Sequence, residues 1–307
     1  MRAVTLESFE AQPALREDVP EPSVGENDLV VRVHASSVNP VDAYIGMGAL
    51  KEMLEHEFPV TIGRDFAGIV ERVGEGASRY RAGDEVFGFV LHANPTVHDG
   101  SWAELIVLPE DNFVAAAPSG VDLALAGAAP VAALSALAAS DALALSEGES
   151  VLVVGATGGV GSFFVQLAAS AGATVIAPAL AEDHDYLRGL GVVELLDRDA
   201  DLAAAVRSAH PEGVDAVFDM VSQAPDASLL KSGGRLASPL GAAGDGPDRF
   251  NVMSQPTPAN LERLAGLLGS GTLRVPIQQR FRLEQTNEAV QALLGTHTQG
   301  KLGVTIA

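Results

Sequence analysis

The run VLVVGATGGVG, residues 151–161, sets Gly155, Gly158 and Gly161 three apart, with Gly159 between the last two. Glycines so spaced after an apolar strand let the backbone turn tightly, approach a pyrophosphate and pack a helix back onto the strand. In the G-x-G-x-x-G register Ala156 stands in the first glycine's place, while Gly158 and Gly161 fill the other two. A helix beginning near Val160 would turn free amides and the positive end of its dipole toward a phosphate. The alternative is a tight turn with no ligand. Context favours the ligand: apolar, largely β-branched residues precede the glycines, and a helical pattern and a second strand follow. No Gly-Lys-Ser/Thr follows, which argues against a Walker-type triphosphate site.

The residues after that second strand would select the nucleotide. A carboxylate there binds ribose hydroxyls, whereas a cation accepts a 2′-phosphate. The stretch reads IAPALAEDHDYLRG, with Ala179 and Leu180 at the expected strand end and Glu182 and Asp183 just beyond. Pro178 leaves the placement of both acids open. Arg188 reads either as a rim cation or as a solvated helix charge. A second chemical stretch lies upstream, where Asn39 offers an amide donor and Tyr44 a hydroxyl in one post-strand loop. Such donors polarise a carbonyl and steady an oxyanion. The plain reading is that Asn39-Pro40 ends a strand and Asp42 bonds the loop backbone.

Elements must hold these groups in place. Residues 1 to 115 read as short strands broken by turns: LVVRVHASSV as a half-buried strand, then AGIVERVGEG, AGDEVFGFV and WAELIVL. A half-open antiparallel barrel suits them. Beyond Pro118 strands are predicted at 150–154, 174–177, 192–195, 216–219 and 235–238. Helices are predicted at 160–171, 183–190 and 201–209, with a short one at 225–230 and another at 260–268. That alternation describes a parallel sheet covered on both faces. FRLEQTNEAVQALLG gives a strand end and a helix, and KLGVTIA a terminal strand that can return to the first domain. The expected domains are 1–117 with 276–307, and 118–275.

Composition narrows the function. The formal charge is −21, from 40 acidic and 19 basic residues, which disfavours nucleic acid and anionic membranes as partners. Cysteine is absent, so disulfides, thiolate nucleophiles and thiolate-bound metals are excluded. The apolar runs are alanine-rich and broken by Asp122 and Pro130, and MRAVTLESFE lacks a long apolar core. No membrane insertion is expected, and the cytoplasm is the expected location. His92 and His98 share a loop that reads as solvent-facing rather than metal-binding.

Several segments in order carry a resemblance: SSVNPVDAYIGMG (36–48), GRDFAGIVERVG (63–74), AGDEVFGF (82–89), GSWAEL (100–105), VLVVGATGGVGSFFVQLA (151–168), VDAVFDMV (214–221), SGGRLAS (232–238) and GKLGV (300–304). Over nearly its whole length the chain resembles the zinc-independent quinone oxidoreductase branch of the medium-chain dehydrogenase/reductase superfamily. The resemblance implies an α/β protein: a Rossmann-type parallel sheet domain, plus a GroES-like, partly open antiparallel β-barrel catalytic domain, with the active cleft between them. It implies NADPH or NADH as cofactor, a quinone or α,β-unsaturated carbonyl as substrate, and a homodimer. It places Asn39 and Tyr44 beside the nicotinamide as catalytic groups, with Asp42, Arg64 and Asp65 supporting them. Cofactor contacts would come from Ser135, Gly155, Ala156, Thr157, Gly158, Gly159, Val160, Gly161, Ala179, Leu180, Val221, Leu240, Gly241 and Met253. Zinc-dependent relatives carry a cysteine where Asn39 stands and Gly-His-Glu where Gly63-Arg64-Asp65 stands, so no metal is expected. The rival is a non-catalytic NAD(P)H-binding sensor or structural protein that keeps the fold.

Overall fold

Two short strands, β1 (Ala3–Leu6) and β2 (Ala14–Arg16), precede β3 (Asp28–Val38), the strand on which the first sheet is built. The computed structural model describes residues 1–91, 96–295 and 297–307. Along β3 only Arg32 is exposed, so the strand is buried on both faces rather than on one as its alternation suggests. Small residues at Ala35, Ser36 and Ser37 let both faces be covered closely. A helix, α1 (Pro40–Gly46), follows where a loop was expected, with proline in its first turn. Next come β4 (Val60–Thr61), β5 (Asp65–Val73), β6 (Glu85–Phe89), β7 (Leu105–Pro109) and β8 (Val114–Ala116). Antiparallel pairing links β3 to β5, β5 to β6 and β6 to β8. The other edge of β3 takes β7 along residues 28–32. A separate sheet has the order β2-β1-β4.

The first compact unit runs through Val131. Composition assigns 118–131 to the second domain, yet α2 (Leu123–Ala126) packs on β3 and β5. Gly127 explains the close approach: a Cβ there would lie 2.6 Å from the Ala35 carbonyl oxygen. The helix α3 (Pro130–Leu143) begins in this unit.

The second unit, 132–255 with 272–276, holds one six-stranded sheet. Its elements are β9 (Ser150–Val154), α4 (Gly159–Ser170), β10 (Thr174–Ala179), α5 (His184–Leu190), β11 (Glu194–Asp197), α6 (Leu202–Ala209), β12 (Val214–Asp219), β13 (Leu230–Ser238) and β14 (Arg249–Asn251). All pairs are parallel, in the order β11-β10-β9-β12-β13-β14. Counted along the chain this is 3-2-1-4-5-6, the order of dinucleotide-binding sheets, with a switch point between β9 and β12. Several details differ from the sequence reading, among them β13, which begins at Leu230 rather than at the predicted Arg235. β11 starts two residues later than predicted, and β14 lacks any apolar run to announce it. The helix predicted at 225–230 is a single tight turn, Ala227–Leu229, opened by the Asp226 side chain.

Residues 256–271 belong to the first unit, where α7 (Pro258–Gly269) packs on β8; Thr257 caps this helix. Then β15 (Ile277–Arg282) and β16 (Lys301–Thr305), joined through α8 (Thr286–Gly295), complete the first sheet. β16 pairs in parallel with β15 and antiparallel with residues 35–38 of β3, beyond the segment β7 occupies. Among the described residues no helix is long and apolar enough to cross a membrane. His92 lies outside the described residues, and His98 bonds the Glu57 carbonyl through Nδ1.

Candidate active site and nucleotide-binding turn

β9 ends at the switch point, and the glycine run turns there into α4. Gly155 has φ +93°, so it is the tight-turn glycine, and the register that gave this role to Ala156 is corrected. Ala156 is buried beneath the helix. A Cβ on Gly161 would lie 2.2 Å from the Gly155 carbonyl oxygen, so helix packing alone demands glycine there. Gly158 differs. It caps α4 in extended conformation, and an added Cβ would meet nothing nearer than Gly155 O at 3.6 Å. Among the described residues no side chain caps α4, leaving the first-turn amides of Gly159, Val160 and Gly161 for an anion. Thr157 is half-buried beside them.

The neighbouring strand ends add a second feature. Val221, Leu240 and Met253, which follow β12, β13 and β14, are 62%, 42% and 68% exposed. Gly241 follows with φ +72°, and Ser135 is buried on α3. Asp219, which the sequence reading did not single out, closes the turn after β12 by accepting from the Val221 and Ser222 N–H groups, each at 2.8 Å. At the end of β10, Ala179 is buried and Leu180 half-buried. Asp183 is buried and Glu182 exposed. Arg188 pairs with Asp185 at 3.6 Å as a solvated helix charge. The backbone N–H of the exposed Arg198 donates to the Ala179 carbonyl.

In the first unit, Asn39, Asp42, Arg64 and Asp65 form one buried cluster, and Lys301 joins it. The Asn39 amide that was expected to face a substrate is spent inside the protein. Its Nδ2 donates to Asp65 Oδ2 at 2.9 Å and to Ser37 Oγ at 3.3 Å. Its Oδ1 accepts from Lys301 Nζ at 2.5 Å. Asp65 Oδ2 also accepts from Ser37 Oγ and lies 3.5 Å from Lys301 Nζ, while Oδ1 takes the Val131 N–H at 2.7 Å.

Asp42 Oδ2 accepts from the Asn39 N–H at 2.7 Å, tying down the start of α1. Its Oδ1 has no hydrogen-bond partner and faces the equally unpartnered Nε of Arg64 at 3.9 Å. Burial pushes the Asp42 carboxyl up to about 7, more than the Arg64 guanidinium pulls it down. Burial also brings Arg64 down to about 10, while its Nη2 donates to the Thr61 carbonyl at 2.9 Å. The Lys301 ammonium is lowered by burial, against the pull of Asp65 and Asp42. Tyr44 stands apart: it is 45% exposed, on α1.

Comparisons with known proteins place the chain in a family. Residues 25–119 match the family described as Alcohol dehydrogenase GroES-like domain, and 190–303 the one described as Zinc-binding dehydrogenase. The chain is 30% identical to the chloroplast envelope quinone oxidoreductase homolog of Arabidopsis thaliana, with 92% of this chain and 91% of that one covered. It is 30% identical to the NADPH-dependent alkenal/one oxidoreductase of the same plant, covering 94% of this chain and 75% of that one. The quinone oxidoreductase structure from Coxiella burnetii superposes with a TM-score of 0.87 at 28% identity, covering 100% of this chain and 99% of that one. The chain belongs to the quinone oxidoreductase branch of the medium-chain dehydrogenase/reductase superfamily.

One of the matched family descriptions names zinc, and the residues here do not fit that ion. Zinc sites want three or four free Cys, His or carboxylate donors. Beside Asp42 and Asp65 this member has two cations, Arg64 and Lys301, and the Asn39 oxygen is already bonded. Among the described residues no three His, Cys, Asp or Glu side chains gather to hold a metal. The sequence reading missed Lys301, although it lies in GKLGV. The available signal is a lysine, one of three in the chain, directly before the apolar run Leu302–Val304.

Proposed function

We propose that this protein is a zinc-independent, NAD(P)H-dependent oxidoreductase that passes hydride to a quinone or to the β-carbon of an α,β-unsaturated carbonyl. The observation that carries the reading is the uncapped start of α4, with open space at Gly158, on the switch point of a 3-2-1-4-5-6 sheet. The residues there fit a dinucleotide. The amides of Gly159, Val160 and Gly161 would hold the pyrophosphate, and the apolar groups Val221, Leu240 and Met253 would receive the nicotinamide end. When bound, NAD(P)H supplies the hydride. The Tyr44 hydroxyl donates a hydrogen bond to the substrate oxygen as negative charge gathers on it, and solvent completes protonation. Asn39, with Asp42, Arg64 and Asp65, fixes the helix that presents Tyr44. The relatives named for quinones and for alkenals support the two substrate classes. We extend the reading to a homodimer, which the family resemblance suggests.

Parallel titrations with NADH and NADPH, followed by nicotinamide fluorescence, test the first half of the proposal. Turnover with a naphthoquinone and a simple enone, followed by nicotinamide absorbance, tests the second. Binding of at least one nucleotide and accelerated oxidation by at least one acceptor are expected. If neither nucleotide binds, the whole reading falls. Binding without turnover of either acceptor would leave the sensor in its place.

A further inference from the structure

We propose that Lys301 is a positioning residue for the reaction, acting through Asn39 to set α1 and the exposed Tyr44 it carries. The proposal rests on the function proposed above.

The starting point is a charge that packing does not require. Lys301 opens β16 at 3% exposure, and an aliphatic residue would fill that place without the cost of desolvating an ammonium. Buried ion pairs are weak evidence for stability, so the ammonium needs another reason to be there. Its partners supply one. Nζ has three hydrogens, and they reach Asn39 Oδ1 at 2.5 Å, the Val38 carbonyl at 3.4 Å and Asp65 Oδ2 at 3.5 Å. All three partners surround the start of α1.

Asn39 occupies the N-cap of that helix. An N-cap side chain ordinarily turns its oxygen onto the amides of its own first turn. Here that oxygen faces the Asp42 N–H in a capping box and also accepts from Lys301 Nζ, and the amide hydrogens then point to Asp65 and Ser37. Asn39 therefore ties three strands together: β16 through Lys301, β5 through Asp65 and β3 through Ser37. The helix that leaves from this knot has seven residues, and Tyr44 is its exposed hydroxyl. Without the ammonium, Oδ1 loses the partner that fixes its direction, which loosens the cap, the start of α1 and the aim of Tyr44 together.

Lys301→Met is expected to fold, because Asp65 keeps donors from Ser37, Asn39 and Val131. It should lower kcat at least tenfold with quinone or enone, leave the Kd for NAD(P)H within twofold, and speed hydrogen–deuterium exchange across residues 40–46 while β5 and β6 stay protected. Lys301→Arg should recover part of the activity. In a Tyr44→Phe background Lys301→Met should cost less than a further twofold, a non-additivity that a merely structural role does not produce. Wild-type kcat and exchange in Lys301→Met would overturn the proposal, as would an equal loss in both backgrounds. Should Lys301→Met not fold, Lys301→Gln answers the same questions. If the wild-type protein binds nucleotide without turnover, the proposed function fails by itself, and faster or unchanged exchange at 40–46 still decides whether Lys301 sets α1.

Discussion

Asp42 sits where two demands conflict. Its Oδ2 is needed to hold the Asn39 N–H, while its Oδ1 is buried without a hydrogen bond. Burial raises this carboxyl from 3.8 in the unfolded chain to about 7, so the folded state prefers it neutral. The linkage has a definite sign. A carboxyl raised on folding gives stability that is complete below its unfolded value and is lost as pH climbs through the folded one. Between pH 4 and 7 the wild type should therefore lose on the order of 3 kcal/mol relative to Asp42→Asn, which does not titrate. Denaturant unfolding of the two proteins across that range measures the difference, and parallel curves would contradict it. At this scale the sequence disclosed the members of the cluster but not their duties. Asn39, Asp42, Arg64 and Asp65 were all legible from their motifs. That the Asn39 amide is spent internally was not, because its oxygen is claimed by Lys301, 262 residues further along the chain.

The glycine run shows what an element adds to its residues. Its three spaced glycines look alike in sequence, yet each answers to a different constraint: backbone angle at Gly155, helix packing at Gly161, open space at Gly158. Two substitutions separate these constraints. Gly161→Ala drives a Cβ to 2.2 Å from a backbone oxygen, so it should destabilise the protein by about 2 kcal/mol and lower its Tm. Gly158→Ala should change stability by less than about 0.5 kcal/mol, since its extended backbone suits any residue and its Cβ meets no close neighbour. The same Cβ stands where the pyrophosphate is proposed to lie, so nucleotide affinity should drop at least tenfold. Thermal melts and a fluorescence titration of both variants check this, and full affinity in Gly158→Ala would remove the phosphate from that place. Strands with apolar, β-branched runs, such as β9 and β12, could be read directly. β14, with only Arg249, Phe250 and Asn251, could not, because its pairing with β13 and not its own pattern makes it a strand.

For the whole molecule the governing quantity is the charge of −21, fully legible from composition and untouched by fold. A dinucleotide carries negative charge of its own, so two effects of salt oppose each other. Local phosphate contacts to cations weaken as salt rises, whereas the long-range repulsion from the protein's surface is screened. At α4 the proposed phosphate contacts are backbone amides, which leaves the local term small and the long-range term dominant. Between about 0.01 and 0.15 M ionic strength the Debye length shrinks from about 30 to 8 Å, enough to remove most of that repulsion. Nucleotide association should therefore accelerate with added salt, on the order of tenfold over this range, while dissociation changes little. Stopped-flow fluorescence at fixed pH measures both rates. An association rate that falls with salt would mean that a cluster of cations, with Arg198 the first to test, governs capture of the phosphates in place of the helix amides.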